Sequence, residues 1–289
     1  MTRRVYLPGS LGEVWDILAR DQEARLYAGG TDLLVQLRDG RLSAPALLCL
    51  ERIPDLKLVE DRGTHLFLGA AATHSELLDH PLVIRHLPVL VKALGVLGSP
   101  PIRHMGTLGG NICTASPAGD TLPPLYALEA ELTLSSASGS RQVRLRDFII
   151  GPGQTRLGPG EILAGVLAPK ADLFRIQHYE KVGLRQALAC AVVSLAALIN
   201  LSASGRIEAA RLAWGSVGPT VVRAPQVEAA LEGRPFNRET LEEAARLARL
   251  AVNPIDDLRA SADYRRQVAG NLLLRLLNFQ PPPKAGPTP

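Results

Sequence analysis

The chain of 289 residues contains only three cysteines, Cys49, Cys113 and Cys190. So sparse and odd a set excludes a disulfide framework and fits a reducing cytoplasm. It also excludes a four-thiolate iron–sulfur site within the chain. Aromatic residues make up 4% of the sequence, which leaves little for a base-stacking surface. The net charge of +4 comes with arginines scattered along the chain rather than clustered. Nucleic acid is therefore not the expected partner. No apolar run is long enough to cross a bilayer; the most apolar stretch, 187–201, is too short and reads as a buried element. The start lacks the basic-then-apolar pattern of a secretory signal, so a cytoplasmic location is expected. His74, His80 and His86 lie near one another without a recognised zinc spacing, and no metal site is expected.

What is present is an alternation of short strands and short helices with hairpins, the pattern of an α+β fold. Ser10 with Glu13, and Thr73 with Glu76, form capping boxes that open helices. Residues 25–28 read as a strand, 32–38 as a helical turn, and 46–50 as a strand. Runs 55–59 and 65–70 read as a hairpin about Asp61-Arg62-Gly63. A helix is predicted over 87–97 and a short apolar one over 122–128. Strands are predicted over 130–135, 142–145 and 161–167, with 151–153 as a loop. Composition shifts near 170–172, where a boundary is placed. Beyond it, 175–181, 187–201 and 206–214 read as a strand meander, 224–231 and 241–252 as helices, the second capped by Thr240 with Glu243, and 264–277 as a final helix. The proline-rich segment 280–289 reads as a disordered tail.

Two glycine segments carry the chemistry. The first is Ala28-Gly29-Gly30-Thr31-Asp32-Leu33, the second Thr107-Leu108-Gly109-Gly110-Asn111. Paired glycines before a short polar residue let backbone N–H groups approach a phosphate with no side chain in the way. Two such segments could close on one diphosphate from two sides. The first alone is equally a turn followed by a helix cap at Thr31 or Asp32. The second is more specific, with two glycine donors, a hydroxyl and an amide side chain in five residues. Asp120, between Gly119 and Thr121, suits an N-cap for the 122–128 helix and equally a carboxylate for the vicinal hydroxyls of a ribose. Residues 151–158 contain three glycines at the wrong spacing for a dinucleotide fingerprint, and Cys113 reads as a small packed residue.

In this order, residues 28–33, 107–111, Ala115-Ser116-Pro117 leading to Asp120, and the segment 256–266 (DDLRASADYRR) resemble the flavin subunit of the molybdenum hydroxylases, the family of xanthine dehydrogenase and aerobic carbon monoxide dehydrogenase. The resemblance implies a two-subdomain FAD-binding domain of the PCMH type over 1–170, divided near residue 58. It implies a smaller α/β C-terminal domain of the carbon monoxide dehydrogenase flavoprotein type over 171–279, built on a three-stranded sheet. It implies that Leu26, Tyr27, Ala28, Gly29, Gly30, Thr31, Asp32 and Leu33 wrap the FAD diphosphate and ribityl chain. Thr107, Gly110, Asn111 and Thr114 would complete those contacts, Asp120 would hold the adenosine side, and Leu163 and Lys181 would lie near the flavin ring. His104 departs from the family pattern, which often has Asn there.

The function implied is electron transfer through FAD within a complex. A large molybdopterin subunit and a small subunit with two [2Fe–2S] clusters are the expected partners, in a dimer of heterotrimers, with NAD, oxygen or a quinone-linked carrier as terminal acceptor. Two alternatives stay open: a stand-alone FAD-dependent oxidase or reductase on the same fold, and a scaffold that has lost its flavin.

Overall fold

Two short apolar runs and one basic one, brought side by side, begin the chain's architecture. In the computed structural model, which describes residues 3–279, β1 (Arg4–Tyr6), β2 (Ala24–Tyr27) and β3 (Ala46–Cys49) form a parallel sheet in the order β1-β3-β2. The middle strand is buried at all four positions, as expected where a parallel sheet is covered on both faces. The connections are helical. Helix Leu11–Arg20 starts at Ser10, whose hydroxyl accepts from Glu13 N, while Glu13 Oε2 accepts from Gly9 N at 3.0 Å. Helix Leu33–Arg38 connects β2 to β3.

A second, antiparallel sheet follows. β4 (Val59–Arg62) and β5 (His65–Gly69) form the hairpin predicted about Gly63, and β6 (Glu131–Ser136) and β7 (Gly139–Arg144) form another. β8 (Ile149–Gly151) and β9 (Gln154–Thr155) make a small separate ribbon around the predicted 151–153 loop. β10 (Ile162–Pro169) joins the two hairpins in the order β4-β5-β10-β6-β7. Residues 54–57 are not strand: Pro54–Lys57 is a 3-10 turn with Pro54 at its start and Leu56 driven into the core. Proline fixes the first helical φ there and delays the strand to Val59. One core joins the two sheets, with Val14, Leu48, Ile53, Leu56 and Ile162 fully or almost fully buried.

The chain divides into two compact units. Among the described residues, the first holds 3–85, Leu97–Ser116 and Glu129–Lys170; the second holds His86–Val96, Pro117–Leu128 and 171–279. Two helical segments that lie early in the sequence therefore belong to the second unit.

That unit is built on β11 (Ile176–Val182), β12 (Val193–Leu201), β13 (Ile207–Gly215) and the two-residue β14 (Val222–Arg223), antiparallel in sequence order. The sheet thus has four strands rather than the three expected. β12 begins at Val193, not at 187, because Leu188 takes a left-handed backbone (φ 55°) that a strand cannot hold. β12 is buried at every position except Asn200. Its odd-numbered residues Val193 to Leu201 share a core with helices Pro225–Leu231, Arg238–Ala251 and Ala262–Arg275, as the two-residue strand period requires. Helices Pro88–Val96 and Leu122–Ala127 also pack against this sheet. Trp214, fully buried, donates its indole N–H to Ala269 O at 3.1 Å. The cap of helix Arg238–Ala251 is Asn237, whose Oδ1 accepts from Thr240 N. The helix starts earlier than Thr240 because Asn in extended backbone is the stronger cap. The predicted tail, 280–289, lies outside the described residues.

Candidate functional site

β2 ends in the first glycine segment. Leu26, Tyr27 and Ala28 lead into Gly29 and Gly30, both with left-handed backbone (φ 55° and 68°). The turn is needed at Gly29: a Cβ there would stand 1.8 Å from Met105 O. Gly29 N donates to Glu51 Oε1 at 2.8 Å, Gly30 N donates to Ala28 O, and Tyr27 O accepts from Leu50 N. Burial first, and the Glu51 carboxylate next, raise the Tyr27 phenol above its ordinary pKa. The next three amides, of Thr31, Asp32 and Leu33, find no acceptor among the described residues. Asp32 does not cap the helix with its side chain. Its Oδ2 instead accepts from Gln36 Nε2 at 2.7 Å and from Thr114 Oγ1 at 3.1 Å. A run of unpartnered N–H groups at a helix start is where an anion is held.

The second segment is not a loop but the cap and first turn of helix Leu108–Thr114. Thr107 Oγ1 accepts from Gly110 N at 3.1 Å, and Thr107 O accepts from Asn111 N. Leu108 N donates to Ala72 O and Gly109 N to Ala70 O. The glycine amides read from the sequence as phosphate donors are therefore spent inside the protein. Gly109 is a packing glycine, since a Cβ would meet Ala70 Cβ at 2.7 Å. Gly110 is different: it is exposed, and a Cβ there would meet only Thr107 Oγ1. What this segment can offer a ligand is the bare surface of Gly110, beside Asn111 and Thr114. The structure brings the two glycine segments together, through Gly29 against Met105 and Asp32 with Thr114.

Three neighbours complete this region. His74, 3% exposed, donates its backbone N–H to Gly106 O at 2.9 Å, and its ring lies 3.1 Å from where a Cβ on Gly106 would be. Burial, with Arg103 adding to it, lowers the imidazole to a pKa of about 4. Burial pushes the Cys113 thiol up to about 12, so it stays protonated. Leu163 is buried at a β-bulge in β10, and Ala164 O beside it accepts from Ala70 N. His104 is exposed on helix Pro100–Met105.

In the second unit, Asp120 is not the helix cap; Thr121 occupies that position and makes no side-chain cap bond. The Asp120 carboxylate accepts from Tyr179 OH at 2.8 Å through Oδ1 and from Lys181 Nζ at 2.7 Å through Oδ2. Lys181 also donates to Val96 O. Burial raises the Asp120 carboxyl, and Lys181 and Tyr179 pull it back. Burial, then the Asp120 charge, holds Tyr179 well above the usual phenol value.

Sequence reading missed Glu51 and Tyr179. Glu51 carries a faint signal, as the charged residue closing a buried apolar strand. Tyr179 carries none, because its partner lies 59 residues away.

These features define a cofactor-binding protein, and comparison with known proteins identifies the class. The family model described as the FAD binding domain in molybdopterin dehydrogenase matches residues 1–171, and that of the CO dehydrogenase flavoprotein C-terminal domain matches residues 177–279. The chain is 34% identical over 266 residues to the glyceraldehyde dehydrogenase medium chain of Sulfolobus acidocaldarius, covering 92% of this chain and 94% of that one. It is 29% identical over 274 residues to the carbon monoxide dehydrogenase medium chain of Hydrogenophaga pseudoflava, covering 94% and 95%. Among solved structures, quinoline 2-oxidoreductase from Pseudomonas putida 86 superposes with a TM-score of 0.91 at 29% identity, over 96% of each chain. The chain belongs to the FAD-binding medium subunits of the molybdenum hydroxylases. It is an oxidoreductase flavoprotein with FAD as its cofactor. Among the described residues, no helix is long and apolar enough to cross a membrane.

Proposed function

We propose that this chain carries electrons from the [2Fe–2S] clusters of a partner subunit, through FAD, to a terminal acceptor. The observation that carries the reading is the run of unpartnered amides at Thr31, Asp32 and Leu33, in a turn fixed by Glu51 and braced by Thr114. These amides would donate to the FAD diphosphate, and the helix start adds its partial positive charge. Exposed Gly110, with Asn111 and Thr114, supplies the facing wall, whereas Gly30 makes room within the protein, since a Cβ there would meet the Tyr27 ring at 2.7 Å. When bound, FAD supplies a centre that takes up electrons one at a time and releases them as a pair. For Leu163, Asp120 and Lys181 the assignment rests on family resemblance. A ligand hydroxyl reaching Asp120 must share its oxygens with Tyr179 and Lys181.

Three cysteines cannot hold two [2Fe–2S] clusters, so those clusters belong to another chain, as does the molybdenum cofactor. The test is co-purification of the tagged full chain from its native host, followed by anaerobic mixing with purine, aldehyde and carbon monoxide. Flavin reduction only in samples containing a molybdenum-bearing larger partner and an iron-bearing smaller one supports the reading. Flavin reduction at catalytic rates by the chain alone overturns it in favour of a stand-alone oxidase.

A further inference from the structure

The parallel pairing of β2 and β3 ends at Tyr27 opposite Cys49, and Tyr27 O still accepts from Leu50 N. Two residues beyond that last pair stand Gly29 on one chain and Glu51 on the other, and Gly29 N donates to Glu51 Oε1 at 2.8 Å. Glu51 is held in place from behind. Leu50 before it and Ile53 after it are buried, and Ile53 N donates to Leu50 O.

This bond decides which amides the glycine turn offers. Gly29 N is taken by Glu51 and Gly30 N by Ala28 O, so Thr31 N is the first amide left over. The turn has no slack on its other sides. A Cβ on Gly29 would strike Met105 O, and one on Gly30 would stand 2.7 Å from the Tyr27 ring and 2.9 Å from Leu34 Cδ1. A carboxylate accepting from an amide makes the stronger, charge-assisted kind of hydrogen bond.

The charge of Glu51 works the other way. Glu51 has no ion-pair partner among the described residues. Its field reaches along the ends of both strands: after burial, it is the next cause that raises the Tyr27 phenol and the Cys49 thiol, with Arg52 countering it at Cys49. A carboxylate so close to a bound diphosphate repels it.

We propose that Glu51 is a positioning residue of the FAD site whose hydrogen bond favours FAD and whose charge opposes it. It acts through the Gly29 amide, fixing the turn so that the amides of Thr31, Asp32 and Leu33 face the diphosphate. This role rests on the FAD reading above and adds the residue that sets the turn and limits how tightly the site holds its anion.

The test is titration of the FAD-depleted native complex with FAD, as wild type, Glu51→Gln and Glu51→Ala, at low and at high salt. Glutamine keeps an acceptor for Gly29 N and drops the charge; alanine drops both. Glu51→Gln should bind FAD about twofold to fivefold more tightly than wild type at low ionic strength. That gain should shrink as added salt shortens the reach of the charge. Glu51→Ala should bind FAD about tenfold more weakly than Glu51→Gln. Thermal melting of the FAD-depleted forms shows whether the fold is intact. If the alanine variant unfolds, the isosteric glutamine variant still decides the sign of the charge effect. A merely structural Glu51 would lower the melting temperature of the alanine variant and leave FAD affinity and its salt dependence in Glu51→Gln at wild-type values; that result overturns the proposal. Weaker FAD binding by Glu51→Gln than by wild type, or equal binding by two folded variants, also overturns it. A wild-type complex that takes up no FAD contradicts the FAD reading itself, and this role of Glu51 with it.

Discussion

Thr114 Oγ1 donates a hydrogen bond to Asp32 Oδ2 at 3.1 Å, tying the helix that opens at the second glycine segment to the first across 82 residues of sequence. Asp32 is thereby turned away from capping its own helix and toward Gln36 and Thr114. The amides of Thr31, Asp32 and Leu33 are left without an acceptor among the described residues.

Asp32→Ala removes both of these bonds. It should weaken FAD binding and lower stability by about 1–3 kcal/mol each, the range for a hydrogen bond to a charged group. Thr114→Val removes one bond and should cost about 1 kcal/mol. Titration of the FAD-depleted complex with FAD, alongside thermal melting, measures both. Unchanged FAD affinity in both variants would detach this joint from the cofactor site.

The two kinds of glycine should separate by experiment. Gly29→Ala forces a Cβ onto Met105 O in a left-handed backbone and should destabilise the first unit by about 3 kcal/mol or more. A Cβ added at Gly110 would meet only the cap hydroxyl of Thr107; Gly110→Val is the test. It should leave melting within about 1–2 kcal/mol of wild type, through helix propensity and the cap, yet sharply reduce FAD content. Full FAD occupancy in Gly110→Val would remove Gly110 from the site.

His74 sets an acid limit on stability. Its imidazole stays neutral in the fold to a pH of about 4, against an ordinary value of 6.5. Above pH 6.5 both folded and unfolded states are neutral, and no stability is lost. As pH falls from 6.5 toward 4 the unfolded chain takes up a proton that the folded one refuses, and up to about 3 kcal/mol is lost. His74→Gln should flatten that limb of the unfolding midpoint against pH. An identical acid limb in the variant would refute the assignment.

Lys181 and Asp120 should behave as a pair. Lys181→Met leaves a buried carboxylate with Tyr179 as its remaining side-chain donor and should cost about 3–5 kcal/mol. Adding Asp120→Asn should recover much of that loss, because no buried charge then remains. Additive losses in the double-mutant cycle would show that the ion pair is not the source.

The sequence made the elements legible where local chemistry decides them. Ser10 with Glu13 and Thr73 with Glu76 form caps at the predicted positions, and the Gly63 and Gly139 hairpins follow from turn residues. It was silent where tertiary partners decide. The glycines of 107–111 read as a loop because glycine disfavours helix, yet Gly109 is helical, held by packing on Ala70. Asp120 read as a helix cap or a ribose carboxylate, because nothing nearby in sequence announces Tyr179 and Lys181. The assignment of His86–Val96 and Pro117–Leu128 to the second unit depends on long-range packing that no local pattern encodes.

The central claim, that this chain holds FAD non-covalently in its glycine-segment site, is tested most directly by quantifying flavin in the purified native complex. Protein is denatured, and the released flavin is identified and counted against this chain. The expected result is one FAD per copy, fully released without proteolysis, and substantially less in Asp32→Ala and Gly110→Val complexes of unchanged composition. A folded, fully assembled complex that contains no FAD, and takes none up when FAD is supplied, would contradict it.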